Sequence, residues 1–478
     1  MLFTAALSQE ICQAQQWINL HSSQIELLTS NSEGDGQAVF QLLEDAREFF
    51  ESESALSVTL KQPVRVFAFR SKDEYAPYRL NSSAFGHFLH SPNCDYIALQ
   101  DIKPEHYEAA LHEYTHYVVK QAGLQLPTWL SEGLADLYSS LELNEQQAII
   151  GHLLPGRIAV LKTNSLMDLK TLLAVTLNSP YYSESGKLSA FYAQSWALTH
   201  MLSLDPQYSA QFSRFLQAVS SGVPSSDALL QVYGKSLEQV EADLKHYWPH
   251  MAANTASFHL PPRKSLTQLQ IKPLSDEEKI LALVDLLAAH PATAPEALRT
   301  LTELAKGSPN NPLIEEKLGY VAWNMSRVDD ARSYFARAVE HGSHHPDMIY
   351  RYAVMQKQAG APEEEVISLF ERVLELSPDF DDARFQLALL QFNRQKFSTA
   401  AQLLSKLKII KVEWTCTYYS IMAYCSLESG DMEEAKAFSE KARLSAQTAS
   451  EQLQADRLLL YMNAQKLSTL ASVRPRSE

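Results

Sequence analysis

Five consecutive residues, His112-Glu113-Tyr114-Thr115-His116, have the types and spacing for metal-assisted hydrolysis. On a helix, two histidines four residues apart stand one turn above each other on the same face. Their imidazoles can then share one ion, and the glutamate beside the first reaches a water bound to it. An HExxH helix of this kind points to zinc. Sixteen residues after His116, Glu132 follows in Trp129-Leu130-Ser131-Glu132-Gly133-Leu134-Ala135-Asp136 and supplies a third ligand. Zinc held by two neutral imidazoles and a carboxylate keeps its fourth position for water. The ion lowers the pKa of that water and polarises a bound carbonyl. Glu113 is the general base expected to take the proton and pass it to the leaving amine. Asp136, one turn beyond Glu132, is expected to accept the outer N–H of a ligand histidine; its plainer reading is an exposed helix aspartate.

The motif is short and arises by chance in roughly a few of every hundred chains of this length. Its setting argues against coincidence. It lies in a run that reads as helix from about Glu105 to Ala122, with apolar neighbours Ala109, Ala110, Leu111, Val118 and Val119. A short loop holding Gly123 and Pro127 leads to a second helix, which can pack back antiparallel and aim Glu132 between the histidines. Upstream, Gln15 to Thr29 alternates apolar residues, and Gln37 to Ser52 has helical spacing. Pro63 to Phe69 and Asp95 to Leu99 read as strands. The second of these is either the edge along which an extended peptide pairs or an ordinary part of the sheet. From Pro127 to about Trp248 the chain reads as helical, broken near Pro155-Gly156, Asn178-Ser179-Pro180, Ser185-Gly186 and Gly222.

Composition bounds the rest. The chain has 478 residues, 46% hydrophobic and 20% charged, with a formal net charge of -15. An acidic chain without basic clusters argues against nucleic acid and anionic membrane surfaces as partners. No apolar run has the length of a membrane span. Four cysteines (Cys12, Cys94, Cys416 and Cys425) form no CxxC pair. Cys12 could pair with Cys94 if the protein is exported. Met1 to Leu7 resembles the end of a signal peptide's apolar region without its basic flank, and reads either as a leader remnant or as a frayed terminus.

A polar stretch from Asn254 to Pro273, with Pro261-Pro262, marks the expected domain boundary. Beyond it a period near 34 appears. Ala297, Ala331, Val366, Ala400 and Ala435 recur at that spacing. Upstream of them stand Val284, Leu318-Gly319, Tyr352-Ala353, Leu387-Ala388 and Met422-Ala423. Four residues after them come Leu301, Phe335, Phe370, Leu404 and Ser439. Small residues recur where helices must approach closely, and mostly large ones where they interlock. This pattern resembles tetratricopeptide (TPR) repeats, about five of them across Ser275 to Ser450, with Gln452 to Leu470 as a capping helix.

The first half carries a second resemblance. HEYTH followed by WLSEGLAD is similar to the gluzincin group of zinc metallopeptidases, in which the third ligand is a glutamate on a following helix. An aspartate four residues later supports the site, and Glu132 and Asp136 match that spacing. Three segments, VRVFAFRSKDEYAPY, HEYTHYVVKQAGLQLPTWLSEGLADLY and FYAQSWALTHML, resemble a bacterial family of unknown function that has a gluzincin-like domain often joined to TPR repeats. That resemblance covers about Trp17 to Pro249 and implies a tyrosine or histidine that stabilises the oxyanion. Tyr192 is the first choice, its alternative being a core aromatic; Tyr182 and His200 are weaker candidates. His87, His90, His106 and His152 read as ordinary histidines, and Trp129 and Trp196 as core.

The expected architecture is an α+β gluzincin-like domain over 1–253, a linker over 254–274, and an all-α TPR array over 275–478. The expected activity is zinc-dependent peptide-bond hydrolysis, with a protein or peptide partner recruited through the repeats. The alternative is a zinc-holding scaffold that acts through the repeats alone, or repeats that only extend the molecule.

Overall fold

A computed structural model of the chain describes residues 16–56, 58–60, 62–80, 84–91, 94–144, 146–183, 185–260 and 269–472. The expectations for Met1 to Leu7, Cys12 and Pro261-Pro262 lie outside the described residues. Two compact units appear, Met1–Thr293 and Ala294–Glu478.

The first unit is built on a six-stranded sheet. Its strands are β1 (Ile18–His21), β2 (Ile25–Thr29), β3 (Val64–Ala68), β4 (Gly86–Leu89), β5 (Asp95–Leu99) and a late strand, Gln270–Pro273. The order is β4-β5-β3-β2-β1 and then the late strand. β2, β3 and β5 run parallel, and β4 lies antiparallel on β5 at the edge. Alternation in Val64-Arg65-Val66-Phe67-Ala68 sends successive side chains to opposite faces. Val64, Val66 and Ala68 join the main core, with Ile97 and Leu99. Phe67 and Phe69 join a second cluster with Trp17, Tyr96 and Ala98.

Helices cover both faces. In chain order they are α1 (Glu33–Ser52), α2 (Lys72–Tyr75), α3 (Tyr107–Gln121), α4 (Thr128–Ser139), α5 (Pro155–Thr163), α6 (Leu169–Leu173), α7 (Pro180–Ser183) and α8 (Ser185–Leu204). Then come α9 (Phe212–Ser220), α10 (Ser225–Tyr233), α11 (Leu237–Tyr247) and α12 (Asp276–Ala288). A small second sheet joins β6 (Glu142–Leu143), β7 (Gln147–Ile150) and β8 (Ala256–His259), which makes the late strand β9.

Two expectations are corrected here and one open alternative is decided. First, 254–274 is not a free linker, because β8 pairs with β7 and β9 pairs with β1. Second, α12, read as the opening helix of the repeats, belongs to the first unit. Leu286 is buried in the cluster on the outer sheet face, and Asp285 pairs with Arg65 of β3 at 3.0 Å. A helix with an apolar stripe packs on whichever apolar surface is offered, and the sheet offers one. Of the two readings of Asp95–Leu99, the structure has the second: it is an interior strand, and the edge beyond it is β4.

α8 is buried from Phe191 through Leu202 except at Tyr192. Trp129 and Trp196 are fully buried, as expected of core residues. α4 crosses α8 at Gly133, where a Cβ would come within 2.6 Å of the Ser195 carbonyl oxygen. That crossing sets how α4 presents its neighbour Glu132. Gly133→Ala is therefore expected to destabilise the unit by about 1–3 kcal/mol through overpacking, read as a fall in the denaturation midpoint. An unshifted midpoint would mean that the crossing relaxes without strain.

The second unit is a linear stack of antiparallel helix pairs. α13 (Ala294–Gly307) is followed by the pairs α14 (Pro312–Asn324) with α15 (Val328–Glu340) and α16 (Pro346–Gln358) with α17 (Glu363–Leu376). The next pairs are α18 (Asp381–Asn393) with α19 (Phe397–Leu404) and α20 (Thr415–Glu428) with α21 (Met432–Ser445), and α22 (Ala449–Ser472) ends the stack. Each helix packs mainly on its sequence neighbours, as repeat architectures do. The small residues have their reason here, since a Cβ on Gly319 would overlap the Phe335 ring. Ala353, Ala388 and Ala423 occupy the equivalent positions fully buried. Cys94, Cys416 and Cys425 are free thiols. Among the described residues, no helix is long and apolar enough to cross a membrane.

Candidate metal centre

The helix hairpin that positions the site follows from local rules. α3 ends because Gly123 adopts a left-handed conformation at φ 70, which a side-chain-bearing residue rarely adopts. Gly123 N–H donates to Lys120 O at 3.0 Å and Leu124 N–H to Val119 O at 3.3 Å, satisfying the last carbonyls of the helix. Pro127 then opens α4, accepting from the amides of Leu130 and Ser131 at 3.0 Å each. The two helices pack together, facing each other across His112, His116 and Glu132.

These three side chains converge. His112 Nε2 and His116 Nε2 are 3.3 Å apart. Glu132 Oε2 lies 3.4 Å from the first and 3.5 Å from the second. A tetrahedral zinc with bonds of about 2.0–2.1 Å separates its ligand atoms by about 3.3 Å. The triangle therefore fits zinc without rearrangement.

The donor chemistry fits as well. His112 Nδ1–H donates to Asp136 Oδ1 at 3.0 Å, and His116 Nδ1 lies 3.3 Å from Ser131 Oγ. With an Nδ1 proton directed outward, each neutral imidazole would turn an Nε2 lone pair toward the same point as a carboxylate oxygen. Such a convergence of electron pairs calls for a cation.

Electrostatics point the same way. Burial disfavours charge on His112, but hydrogen bonds to Asp136 and Glu132 outweigh it and push its pKa up to about 10. Burial alone would raise Glu132, yet His116 and His112 keep it well below the usual carboxylate range. Burial raises Glu113, and the two histidines offset this only in part. A carboxyl held above its ordinary value is better matched to taking and returning a proton.

Asp136 is 2% exposed and so is not the surface aspartate of the plainer reading. It bridges His112 to a residue that the sequence did not single out. Arg157, in the first turn of α5, donates Nε to Asp136 Oδ2 at 2.6 Å and Nη2 to Oδ1 at 3.0 Å. With Arg157 and His112 as partners, Asp136 stays ionised despite burial. The only local signal was Pro155 at a helix start, which places a helix but says nothing of its target. Arg157→Met would leave the Asp136 carboxylate buried without its main counter-charge. It is expected to weaken zinc affinity about 10–100-fold in chelator competition. An unchanged affinity would show that Arg157 has no part in holding the ligand shell.

Tyr192 comes next to this chain of contacts. Its ring lies 6.4 Å from the His112 ring, edge to face, and the Arg157 guanidinium sits 4.9 Å over it. His200 does not reach the site. It is fully buried, bonded through Nδ1 to Tyr247 Oη at 2.8 Å and through Nε2 to Gly151 O at 3.0 Å. Burial lowers its pKa to about 4, so it is a neutral core histidine. The side chain of Tyr182 lies outside the described residues. His87, His90, His106 and His152 pair with Tyr75, Asp95, Asp101 and Glu142 respectively, away from the three ligands.

No family model matches the chain, and no curated protein matches it. Solved structures similar to parts of it include the following. One is YrrB, described as a TPR protein with an unusual peptide-binding site, at 15% identity over 37% of this chain and 90% of that one, TM-score 0.32. Another is MamA, at 18% identity over 35% and 92%, TM-score 0.29. A third is PilF of Pseudomonas aeruginosa, at 14% identity over 37% and 81%, TM-score 0.30. The chain itself combines an all-α part made of stacked helix pairs with a part built on a small sheet.

Proposed function

We propose that the first unit is a zinc-dependent metallopeptidase of gluzincin type. The observation that carries this reading is the triangle of His112 Nε2, His116 Nε2 and Glu132 Oε2, with sides of 3.3, 3.4 and 3.5 Å, beside a buried glutamate. Bound there, zinc would acidify a water and polarise a peptide carbonyl. Glu113 accepts a proton and returns it to the leaving nitrogen, a role its raised pKa suits. Asp136, held by Arg157, keeps the His112 ring turned to its ligand position. Tyr192 would donate its hydroxyl to the carbonyl oxygen as negative charge builds there. An extended peptide would pair along the outer edge of β4, the end strand of the sheet among the described residues, which lies against Glu113.

The experiment is cleavage of a peptide library by the zinc-loaded full chain, with a chelated control. Chelator-sensitive cleavage supports the reading, and zinc bound without any cleavage removes it.

That second outcome would favour another reading, supported by the stack of helix pairs. Here the protein is a zinc-holding scaffold of weak or no activity that binds a protein partner through its TPR-like part. The same part would recruit the substrate if the peptidase reading holds.

A further inference from the structure

The edge strand β4 does more than border the cleft. We propose that the backbone amide of Phe88 positions the Glu113 carboxylate, and that residue 86 is glycine because the strand must lie close enough for that bond.

The strand's hydrogen-bonding pattern leaves this amide available. Gln100 N–H donates to Phe85 O at 2.7 Å, so Phe85 and Gln100 form a hydrogen-bonded pair. Register then alternates along Gly86↔Leu99, His87↔Ala98 and Phe88↔Ile97. His87 turns its backbone groups to β5, while Gly86 and Phe88 turn theirs outward. Of these outward groups, the Phe88 N–H is the one placed to donate to Glu113, whose Cγ lies against the same strand at Gly86. A bond from a strand amide fixes a carboxylate in a way no water can, since the amide itself is held by the sheet.

Gly86 is gripped on both sides. A Cβ there would lie 3.0 Å from Ala98 O, 3.0 Å from Glu113 Cγ and 3.1 Å from Leu99 Cδ2. A side chain there would require β5 or the Glu113 side chain to give way by a few tenths of an ångström. The far end of β4 is tied to the same helix that carries Glu113. His90 Nδ1 bonds Asp95 Oδ1 at 2.7 Å, and Asp95 Oδ2 accepts from Gln121 Nε2 of α3 at 2.8 Å. His87 Nδ1 is anchored on Tyr75 Oη at 2.7 Å. Strand and helix therefore form one frame around the carboxylate. Phe88 is a positioning residue through its backbone, and the outward groups of Gly86 remain for a substrate peptide.

The role assigned to Glu113 rests on the peptidase reading, but the contact does not, so two measurements are needed. Amide exchange on the full chain compares Phe88 in the unaltered protein and in Glu113→Ala. An outward amide on an edge strand exchanges fast unless it has an acceptor. Exchange about tenfold faster in Glu113→Ala is expected, and equal rates would overturn the contact. Kinetics then compare Phe88→Pro with Phe88→Ala. Both remove the ring, only proline removes the donor, and proline is tolerated where the N–H leaves no ladder bond unmade. Phe88→Pro should show a kcat about tenfold or more below Phe88→Ala, with equal KM and zinc content. A change in KM alone would mean that the amide docks substrate, which overturns the positioning role. If the unaltered protein cleaves no peptide, the peptidase reading fails, while the exchange comparison still decides the contact.

Discussion

Glu113→Gln is expected to retain zinc at the level of the unaltered protein and to lose peptide hydrolysis by about 10²–10⁴-fold. The substitution keeps the shape of the side chain and its acceptor oxygen, so the Phe88 amide still has a partner. What it removes is the capacity to take a proton. Glu113 is absent from the triangle of ligand atoms, which consists of His112, His116 and Glu132. Metal content should therefore be insensitive to the change while turnover is not. Zinc quantified on the purified variant, alongside peptide turnover, checks both halves. Full activity in Glu113→Gln would remove Glu113 from the mechanism, and loss of zinc would make it part of the ligand shell.

Glu132→Gln is expected to have the opposite signature, with the metal lost first and activity following. Glu132 is 6% exposed and is the only carboxylate in the triangle. A neutral amide of the same volume fills the same space and coordinates zinc poorly, so folding should survive. The consequence is read without any substrate. Zinc binding the folded state at a hundred times its dissociation constant adds about 2.7 kcal/mol of stability. The unaltered protein should show a clear rise in melting temperature between chelator and zinc, and Glu132→Gln should show almost none. A variant that kept both zinc content and the thermal shift would show that two histidines suffice, and the assignment of Glu132 as a ligand would fall.

The two variants separate the readings of the whole molecule. The scaffold reading needs the metal but not the base, so it expects Glu132→Gln to matter and Glu113→Gln to be silent. The peptidase reading expects both to matter.

How much of this was legible in the residues differs from one feature to the next. The His112 and His116 pair, Glu132 sixteen residues on and Asp136 one turn later form a pattern within two adjacent helices. Helical geometry turns such spacing into shared faces, so the expected ligand set could be written down in advance. The repeats were legible for the same reason, since the small residue that precedes each Phe335-like position recurs at a fixed interval. Arg157 and Phe88 were not legible. Arg157 meets Asp136 only because α5 is folded back across the hairpin, and a single arginine carries no periodic signal. Gly86-His87-Phe88-Leu89 is too short and too mixed to read as a strand, so whether Asp95–Leu99 was the edge stayed open. α12 looked like a repeat helix, yet its apolar stripe found the outer face of the sheet.

Residue spacing alone set the elements whose partners lie close along the chain: the helix hairpin that carries His112, His116 and Glu132, the helix pairs and their small-residue contacts. Short-range periodicity encodes these, because neighbouring turns and neighbouring helices are constrained by covalent spacing. Only the tertiary structure decided which strand borders Glu113, which cation holds Asp136, where the first unit closes through β8 and β9, and that Tyr192 stands beside His112. Each of those is a meeting of segments far apart in the chain, set by packing around the α8 and sheet cores rather than by any local repeat.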